Sequence, residues 1–273
     1  MKENGYEPHY YENPRFPIIF HYDRVRAEVP VCAHWHESME LLFFTHGKAQ
    51  VFINAESVCA KAGDIVVIPG SAVHSVKSET DIVRYYCLIV EHNFCCGCGL
   101  DLEEMCFKRC ICDPRLSEKY NNIVLSFEDK NQYYQTEVLS GVLSLFVYLA
   151  RNYGILPSAE EHKLPSGQLV MVKKTFSYIE KHYGEDITTD MLAELAGFSK
   201  YYFCHVFKKV TAMTPVAYIN YTRCKKAQEL LSSGMANVGE AAERSGFLNL
   251  SYFTKTYKKY IGVLPSETIS NSH

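Results

Sequence analysis

Residues 199–215, SKYYFCHVFKKVTAMTP, and residues 249–265, NLSYFTKTYKKYIGVLP, repeat one pattern at an offset of fifty positions. A Tyr-Phe pair, a Lys-Lys pair and a closing Pro stand at the same places in both copies, and a Gly-Phe pair precedes each copy. A short helix, a turn that contains glycine and a second amphipathic helix form the pattern of a helix-turn-helix unit. The sequence therefore predicts two such units, and a unit of this kind lays its second helix in the major groove of DNA.

The second helix of each predicted unit has a clear apolar face. Aromatic residues recur four positions apart in both copies: Phe203 and Phe207 in the first, and Phe253 and Tyr257 in the second. This spacing predicts one buried stripe and leaves the opposite face to solvent or to DNA. Between the copies, Pro215 in the first turn starts a longer helix, which we expect to act as a strut packed against both units.

The last hundred residues resemble the DNA-binding domain of AraC/XylS-type transcription regulators. The resemblance rests on LAELAGFS (192–199), YYFCHVFKK (201–209), TPVAYINYTRCKKAQELL (214–231) and SGFLNLSYFTKTYKKYIGVLPS (245–266). Ala212 departs from the family pattern, which usually has glycine at that position. The resemblance implies a transcription regulator without enzymatic activity that binds double-stranded promoter DNA as a homodimer, with RNA polymerase as a possible further partner.

The DNA contacts are expected on the two second helices, on the side opposite the aromatic stripe. By resemblance and by this facing, the candidates are Lys200, Tyr201, Cys204, His205 and Lys208 in the first copy, and Asn249, Leu250, Ser251, Lys255 and Lys258 in the second. Side chains near the start of each helix are expected to touch base edges, while the paired lysines further on meet phosphates and set position.

The charge of the chain is unevenly distributed. The whole chain has a net charge of −3, but residues from 168 onward hold 13 Lys and Arg against 9 Asp and Glu, a net of +4. The preceding residues hold 15 against 22, a net of −7. A mildly basic module attached to an acidic domain suits DNA contact at one end of the chain only.

The first ninety residues predict short strands rich in β-branched and aromatic residues. These are 16–20, 25–31, 39–45, 49–54, 64–68 and 83–90, separated by turn-forming residues. Such spacing indicates a sandwich or a jelly-roll barrel. The predicted fold class is therefore α+β with two domains: a cupin-like β-barrel with trailing helices, and an all-α domain with two helix-turn-helix units. The expected boundaries are 1–112, 113–153 for a helical dimerisation segment, 154–167 for a linker, and 168–273.

Two segments of the predicted barrel resemble the cupin motifs, HWHESMELLFFTHG (34–47) and GDIVVIPGSAVH (63–74). They carry His34, His36, Glu40 and His74, and strand alternation points His34 and His36 to one face, with Trp35 on the other. These four residues are candidate ligands for a divalent zinc, iron or manganese ion. They are equally the candidate contacts of an organic effector, because AraC-type regulators use the barrel as a pocket for a sugar or a related metabolite.

Two alternatives to a plain small-molecule regulator stay open at this stage. One is a metal-binding cupin enzyme that also binds DNA. The other is a metal or redox sensor, because six cysteines crowd into residues 95–112: Cys95, Cys96, Cys98, Cys106, Cys110 and Cys112. The spacing of these cysteines matches no closed zinc site, and buried cysteine is often a small apolar residue.

The sequence also predicts the location of the protein and the helices that follow the sheet-rich region. The chain has neither an export signal nor an apolar run of about 20 residues, so we expect a cytoplasmic protein with reduced thiols that does not enter a membrane. Helices are predicted at 115–128 and 132–153. The second carries a broad apolar stripe (Val138, Val142, Leu145, Leu149), which predicts either a dimer seam or packing within the subunit.

Overall fold

The computed structural model describes residues 6, 7, 9, 11, 13, 15–102, 105–155 and 166–270. Its strands are β1 Ile18–Arg26, β2 Val31–His34, β3 Met39–His46, β4 Lys48–Ile53, β5 Glu56–Lys61, β6 Ile65–Ile68, β7 His74–Ser78, β8 Ile82–Val90, β9 Cys106–Phe107, β10 Cys110–Ile111 and β11 Gly154–Ile155. Its helices are α1 His92–Gly97, α2 Pro114–Asp129, α3 Tyr134–Tyr153, α4 Ser166–His182, α5 Thr189–Ala196, α6 Lys200–Thr211, α7 Pro215–Ser232, α8 Val238–Arg244, α9 Leu250–Ile261 and α10 Pro265–Ser270.

The N-terminal domain, residues 15–155, is built in three layers. A four-stranded sheet, in the order β2-β7-β4-β5, faces a five-stranded sheet, in the order β1-β8-β3-β6-β10, and α2 and α3 cover the outer face of the larger sheet. Strand β3 shows why its sequence is apolar throughout. Leu41 and Phe43 point to the helices, while Leu42 and Phe44 point to the smaller sheet, so both faces of the strand are buried.

The prediction of a β-barrel in the N-terminal domain is wrong, because the strands form two separate sheets. Among the described strands, the two sheets are separately hydrogen-bonded and do not close on each other. The architecture is therefore a sandwich, the other form that short, evenly spaced strands indicated. The predicted strands at 16–20 and 25–31 were also divided in the wrong place, since β1 runs without a break from Ile18 to Arg26 along β8.

The helical segment agrees with the prediction in its bounds, but the apolar stripe does not form a free seam. Val138, Val142, Leu145 and Leu149 are completely buried against α2 and the larger sheet of the same subunit. These four side chains pack within the subunit, and the role of the helical segment in dimerisation stays a prediction. Of the predicted linker, residues 154–155 pair with β9, residues 166–167 begin α4, and residues 156–165 lie outside the described residues.

Cysteine side chains differ widely in exposure: Cys32, Cys87, Cys95 and Cys224 are buried, and Cys59, Cys98, Cys106 and Cys112 are exposed. The six cysteines of residues 95–112 are spread over α1, β9, β10 and the residues beside them. Cys95 and Cys110 lie in a poorly solvated environment that raises the pKa of their thiols, to about 12 and about 11. Among the described residues, these thiols do not converge into a group of three or more ligands.

The C-terminal domain, residues 166–270, has two cores that share α7. One contains Phe203 and Phe207 of α6, and the other contains Phe253 and Tyr257 of α9. Tyr218 and Ile219 of α7 belong to the first core, while its Cys224, Ala227 and Leu231 belong to the second. The strut and both aromatic stripes were therefore predicted correctly. No helix among the described residues is both long enough and apolar enough to span a membrane.

Local signals fixed the ends of the short helices. Thr188 caps α5 by accepting from the backbone N–H of Met191, and Asn237 forms a full capping box with Glu240 at the start of α8. Gly197 and Gly246, in the two turns, adopt positive φ of 75° and 84°. Gly246 also lies so close to the carbonyl of Tyr183 that a Cβ atom would stand 2.7 Å from that oxygen.

Candidate effector site and DNA interface

The four predicted ligand residues meet at one end of the sandwich. His34 closes β2 and lies directly opposite His74, the first residue of β7, while Glu40 lies on β3 next to His36. One ligand atom from each of the four side chains lies within 4.8 Å of all the others. The Oε2 atom of Glu40 is 3.0 Å from Nε2 of His36 and 2.9 Å from Nε2 of His74. We call these four residues the His/Glu cluster.

Each histidine of the cluster is held by a backbone carbonyl through its other ring nitrogen. The Nδ1 atoms of His34, His36 and His74 lie 3.0, 2.9 and 2.9 Å from the carbonyl oxygens of Cys32, Ser38 and Ala72. A carbonyl can only accept, so these contacts place a proton on each Nδ1 atom. All three rings therefore turn Nε2 towards the centre of the cluster, which is how proteins orient histidines that bind metal ions.

Burial and charge set the protonation of the cluster. Burial lowers the pKa of His34 to about 3, with a further contribution from the neighbouring His74. Burial opposes ionisation of Glu40, but the charge of His74 and the hydrogen bond from His36 outweigh it and hold the pKa of this carboxyl well below its usual range. Burial likewise disfavours the charged form of His74, yet the Glu40 carboxylate raises its pKa. The cluster therefore holds an ionised carboxylate and a neutral, electron-donating His34.

Two further side chains reach the cluster that sequence reasoning did not identify. The thiol of Cys87 donates to Oε1 of Glu40 at 2.9 Å, and Oε2 of Glu7 lies 3.4 Å from Nε2 of His34. Cys87 had a signal, because residues 83, 85, 87 and 89 of β8 alternate into the core between the sheets. Glu7 had none, since it belongs to a segment without strand or helix periodicity.

A cavity of about 730 Å³ opens beside the cluster and lies between the two domains. His34, Glu40 and His74 line it from the N-terminal side, together with Tyr85 and Cys87, while His36 lies outside the lining. The opposite wall is formed mainly by α7, with Glu180 of α4 and Tyr260 and Ile261 of α9 beside it. The lining residues of α7 are Tyr218, Tyr221, Thr222, Lys225, Lys226, Gln228, Glu229 and Ser232. The cavity therefore touches the helix that joins the two helix-turn-helix units.

The predicted DNA contacts lie on the outer faces of α6 and α9, which we call the recognition helices. All ten candidates are exposed except Cys204, which is half-buried. Tyr201 is 84% exposed and Leu250 is 52% exposed, so both side chains are accessible to DNA. Leu248, which is fully exposed just before α9, is a further candidate that sequence reasoning did not name.

Two of the ten candidates already have structural partners. The ammonium group of Lys200 lies 2.7 Å from the Asp190 carboxylate, and the side chain of Asn249 caps α9 by accepting from the backbone N–H of Tyr252 at 2.8 Å. Asn249 thus stabilises the start of its helix, as Ser199 does for α6. Asn249 therefore has a structural role in capping α9, and Lys200 forms an exposed ion pair with Asp190. Cys204 packs partly against the first core.

Comparison with known protein families assigns the N-terminal and C-terminal parts of the chain to two different domains. Residues 26–101 match the AraC-like ligand binding domain, and residues 192–271 match a helix-turn-helix domain. The uncharacterized HTH-type transcriptional regulators YdiP of Escherichia coli and YdeC of Bacillus subtilis are both 23% identical to the chain, covering 86% and 85% of it and 79% and 84% of their own lengths. The crystal structure of ToxT from Vibrio cholerae covers 93% of the chain and 97% of its own, at 12% identity and a TM-score of 0.46.

Proposed function

We propose that this chain is an AraC-type transcription regulator in which a small molecule in the interdomain cavity controls binding to promoter DNA. The match of residues 26–101 to the AraC-like ligand binding domain and of residues 192–271 to a helix-turn-helix domain supports this assignment. The observation that carries this proposal is the shared lining of the cavity. The His/Glu cluster forms part of one wall, and α7, which packs under both recognition helices, forms the other.

The recognition helices supply the DNA contacts in this proposal. Tyr201 and His205 at the start of α6, and Leu250, Ser251 and Lys255 at the start of α9, contact base edges. Lys208 and Lys258 lie further along and contact phosphates, which fixes the register of each helix without reading sequence. Their exposure and the net positive charge of the C-terminal domain support this assignment.

The effector is a sugar or a related polar metabolite. Tyr85 from the N-terminal domain and Tyr218, Tyr221 and Tyr260 from the C-terminal domain bring aromatic rings to the cavity wall. Tyr221 is the half-buried ring among them and can stack on the apolar face of a sugar, whereas Tyr85, Tyr218 and Tyr260 are buried and shape the wall. Gln228 and the cluster residues offer hydrogen bonds to the sugar's hydroxyl groups. A molecule that contacts both walls stabilises the docked arrangement of the two domains relative to any other arrangement.

Homodimer formation and contact with RNA polymerase stay predictions. The apolar stripe of α3 is buried within the subunit, so a dimer has to use another surface. Sedimentation of the full chain with and without DNA measures the number of subunits that bind.

Selection of binding sites from random double-stranded DNA, followed by titration with sugars, tests the proposal. We expect one recurrent site, with at least one sugar or sugar derivative changing its affinity fivefold or more. Gln228→Ala, which removes a cavity side chain outside both helix-turn-helix cores, should weaken the sugar effect and leave affinity in the absence of sugar unchanged. If ligands bind the cavity but none alters DNA affinity, control by the cavity is wrong.

A further inference from the structure

Residues 33–36 of the N-terminal domain contact the His/Glu cluster on one side and the C-terminal domain on the other. His34 and His36 turn towards the cluster, whereas Ala33 and Trp35, on the alternate side, pack into the core that contains Phe176 of α4 and Phe203 of α6. The ring of Trp35 also lies beneath the ammonium group of Lys173, which is 3.6 Å from the ring centroid. Movement of the two histidines therefore displaces residues that touch the helix-turn-helix domain.

The third histidine has the same arrangement. His74 belongs to the cluster, and the preceding Val73 is completely buried in the core of the first helix-turn-helix unit. The carbonyl that orients His34 belongs to Cys32, whose own side chain is buried beside Cys224 and Tyr260 in the second core. Each of the three ligand histidines thus lies one or two residues from a side chain that the C-terminal domain holds.

The donor set of the cluster fits a divalent transition ion. An ion bonded at about 2.1 Å in a tetrahedral site spaces its ligands about 3.4 Å apart. The ligand atoms of the cluster are 2.9 and 3.0 Å apart for the two pairs with Glu40 and at most 4.8 Å apart for the rest, so small side-chain shifts bring all four to that spacing. Three imidazole nitrogens with one carboxylate favour ions of the Zn²⁺ and Co²⁺ class over Mg²⁺ and Ca²⁺, which prefer sites made of oxygen atoms. The carbonyl contacts at Nδ1 aim all three Nε2 atoms at the centre of the cluster. An ion bound there takes the place of the protons that His36 and His74 share with the Glu40 carboxylate.

We propose that a divalent transition ion bound by the His/Glu cluster is itself an effector, and that Ala33, Trp35 and Val73 transmit its binding to the helix-turn-helix domain. Binding draws the histidine rings to a common centre and fixes the strands that carry them. The alternate side chains of those strands then hold α4 and α6 in the docked arrangement, with Trp35 and Lys173 as the outermost contact. This inference rests on the proposed function for its readout, DNA binding, but the ion differs from the organic effector of the cavity.

The coupling is reciprocal by thermodynamic necessity, so DNA changes the affinity for the ion by the same factor as the ion changes the affinity for DNA. Couplings of this kind commonly amount to about 5- to 150-fold. Trp35 is the only tryptophan of the chain, so its fluorescence reports directly on the contact between the domains.

The test uses the full chain freed of metal with a chelator and then titrated with Zn²⁺ or Co²⁺. We expect one ion per chain, a change in Trp35 fluorescence with the same midpoint, and at least a fivefold change in DNA affinity. Lys173→Met should bind the ion with unchanged affinity but lose most of the effect on DNA. Lys174→Met, an exposed neighbour on α4, is the matched control and should behave as the wild type.

Several results overturn the proposal, and they differ from failure of the proposed function. Absence of ion binding, or ion binding that leaves DNA affinity unchanged, removes the ion as an effector while DNA binding and its response to sugars stand. Full coupling in Lys173→Met and Trp35→Leu refutes the transmission route. A chain that binds no DNA under any condition refutes the proposed function, and an unchanged Trp35 signal on ion binding then refutes this inference independently.

Discussion

Ala212 and Gly262 end the two recognition helices in the same left-handed conformation, with φ of 59° and 87°, although only one of them is glycine. A side chain at such a position brings Cβ against the following carbonyl, at a cost of about 1–2 kcal/mol. Ala212 is exposed, so its methyl group gains little from packing in return. The first helix-turn-helix unit therefore carries backbone strain that the second avoids.

Ala212→Gly should stabilise the protein by about 0.5–1 kcal/mol, since the relief of strain exceeds the added entropy of the unfolded chain. Urea unfolding followed by far-ultraviolet circular dichroism measures this change. Gly197→Ala is the matched control, because Gly197 has φ of 75° and open space around its Cβ position. That variant should lose about as much as Ala212→Gly gains, and a loss of stability in Ala212→Gly contradicts the assignment of strain.

The sequence was most informative where local chemistry decides structure. The capping box at Asn237 and the aromatic spacing of Phe203 with Phe207 each depend on a few neighbouring residues, and the structure agrees with both. Strand β7, HSVKS, was missed because its polar composition is overridden by pairing with β4. The contact between Trp35 and Lys173 joins residues far apart in the chain, and no periodicity within either segment encodes it.

Lys258 lies on the exposed face of α9, beyond the base-reading positions. If it contacts a phosphate, Lys258→Gln should weaken binding to all DNA sequences alike and reduce the slope of log K against log salt by about 1. Fluorescence anisotropy at several salt concentrations gives both quantities. Lys61→Gln, at an exposed position in the N-terminal domain, should change neither. An unchanged slope in Lys258→Gln assigns this lysine to the solvated surface.

Tyr201 is expected to read bases and not backbone. Its ring is exposed and parallel to that of His205, so Tyr201→Ala should leave stability within about 0.5 kcal/mol of the wild type. Affinity for the selected site should fall about tenfold, or about 1.4 kcal/mol, while affinity for random DNA stays the same. An equal loss on both DNAs argues that Tyr201 contributes no sequence discrimination.

Cys87 positions the Glu40 carboxylate. Because its thiol donates to Oε1, the other oxygen, Oε2, faces His36 and His74. Cys87→Ala should therefore lower the affinity for Zn²⁺ about tenfold, while Cys87→Ser, which keeps a donor, should retain most of it. Competition with a chromophoric chelator measures both values. Equal losses in the two variants indicate a packing defect, since serine restores the hydrogen bond but not the volume of sulfur.

The depressed pKa of His34 predicts a definite pH dependence for the metal-free protein. The pKa of His34 is about 3 in the folded chain against 6.5 for an ordinary histidine, so the unfolded chain binds the extra proton first as pH falls. His34 therefore contributes stability that is present above pH 6.5 and lost progressively towards pH 3, by up to about 1.4 kcal/mol per pH unit. His34 keeps 21% of its side chain exposed to the cavity, which reduces this slope.

His74 has a raised pKa and acts in the opposite sense, with stability that is present at low pH and lost as pH rises through its folded value. Comparison of wild type with His34→Gln in chelator, by urea unfolding at pH 7 and pH 5, isolates the first effect. We expect the wild type to lose up to about 2 kcal/mol more than the variant over this interval, and parallel losses would show that His34 accepts a proton in the folded state.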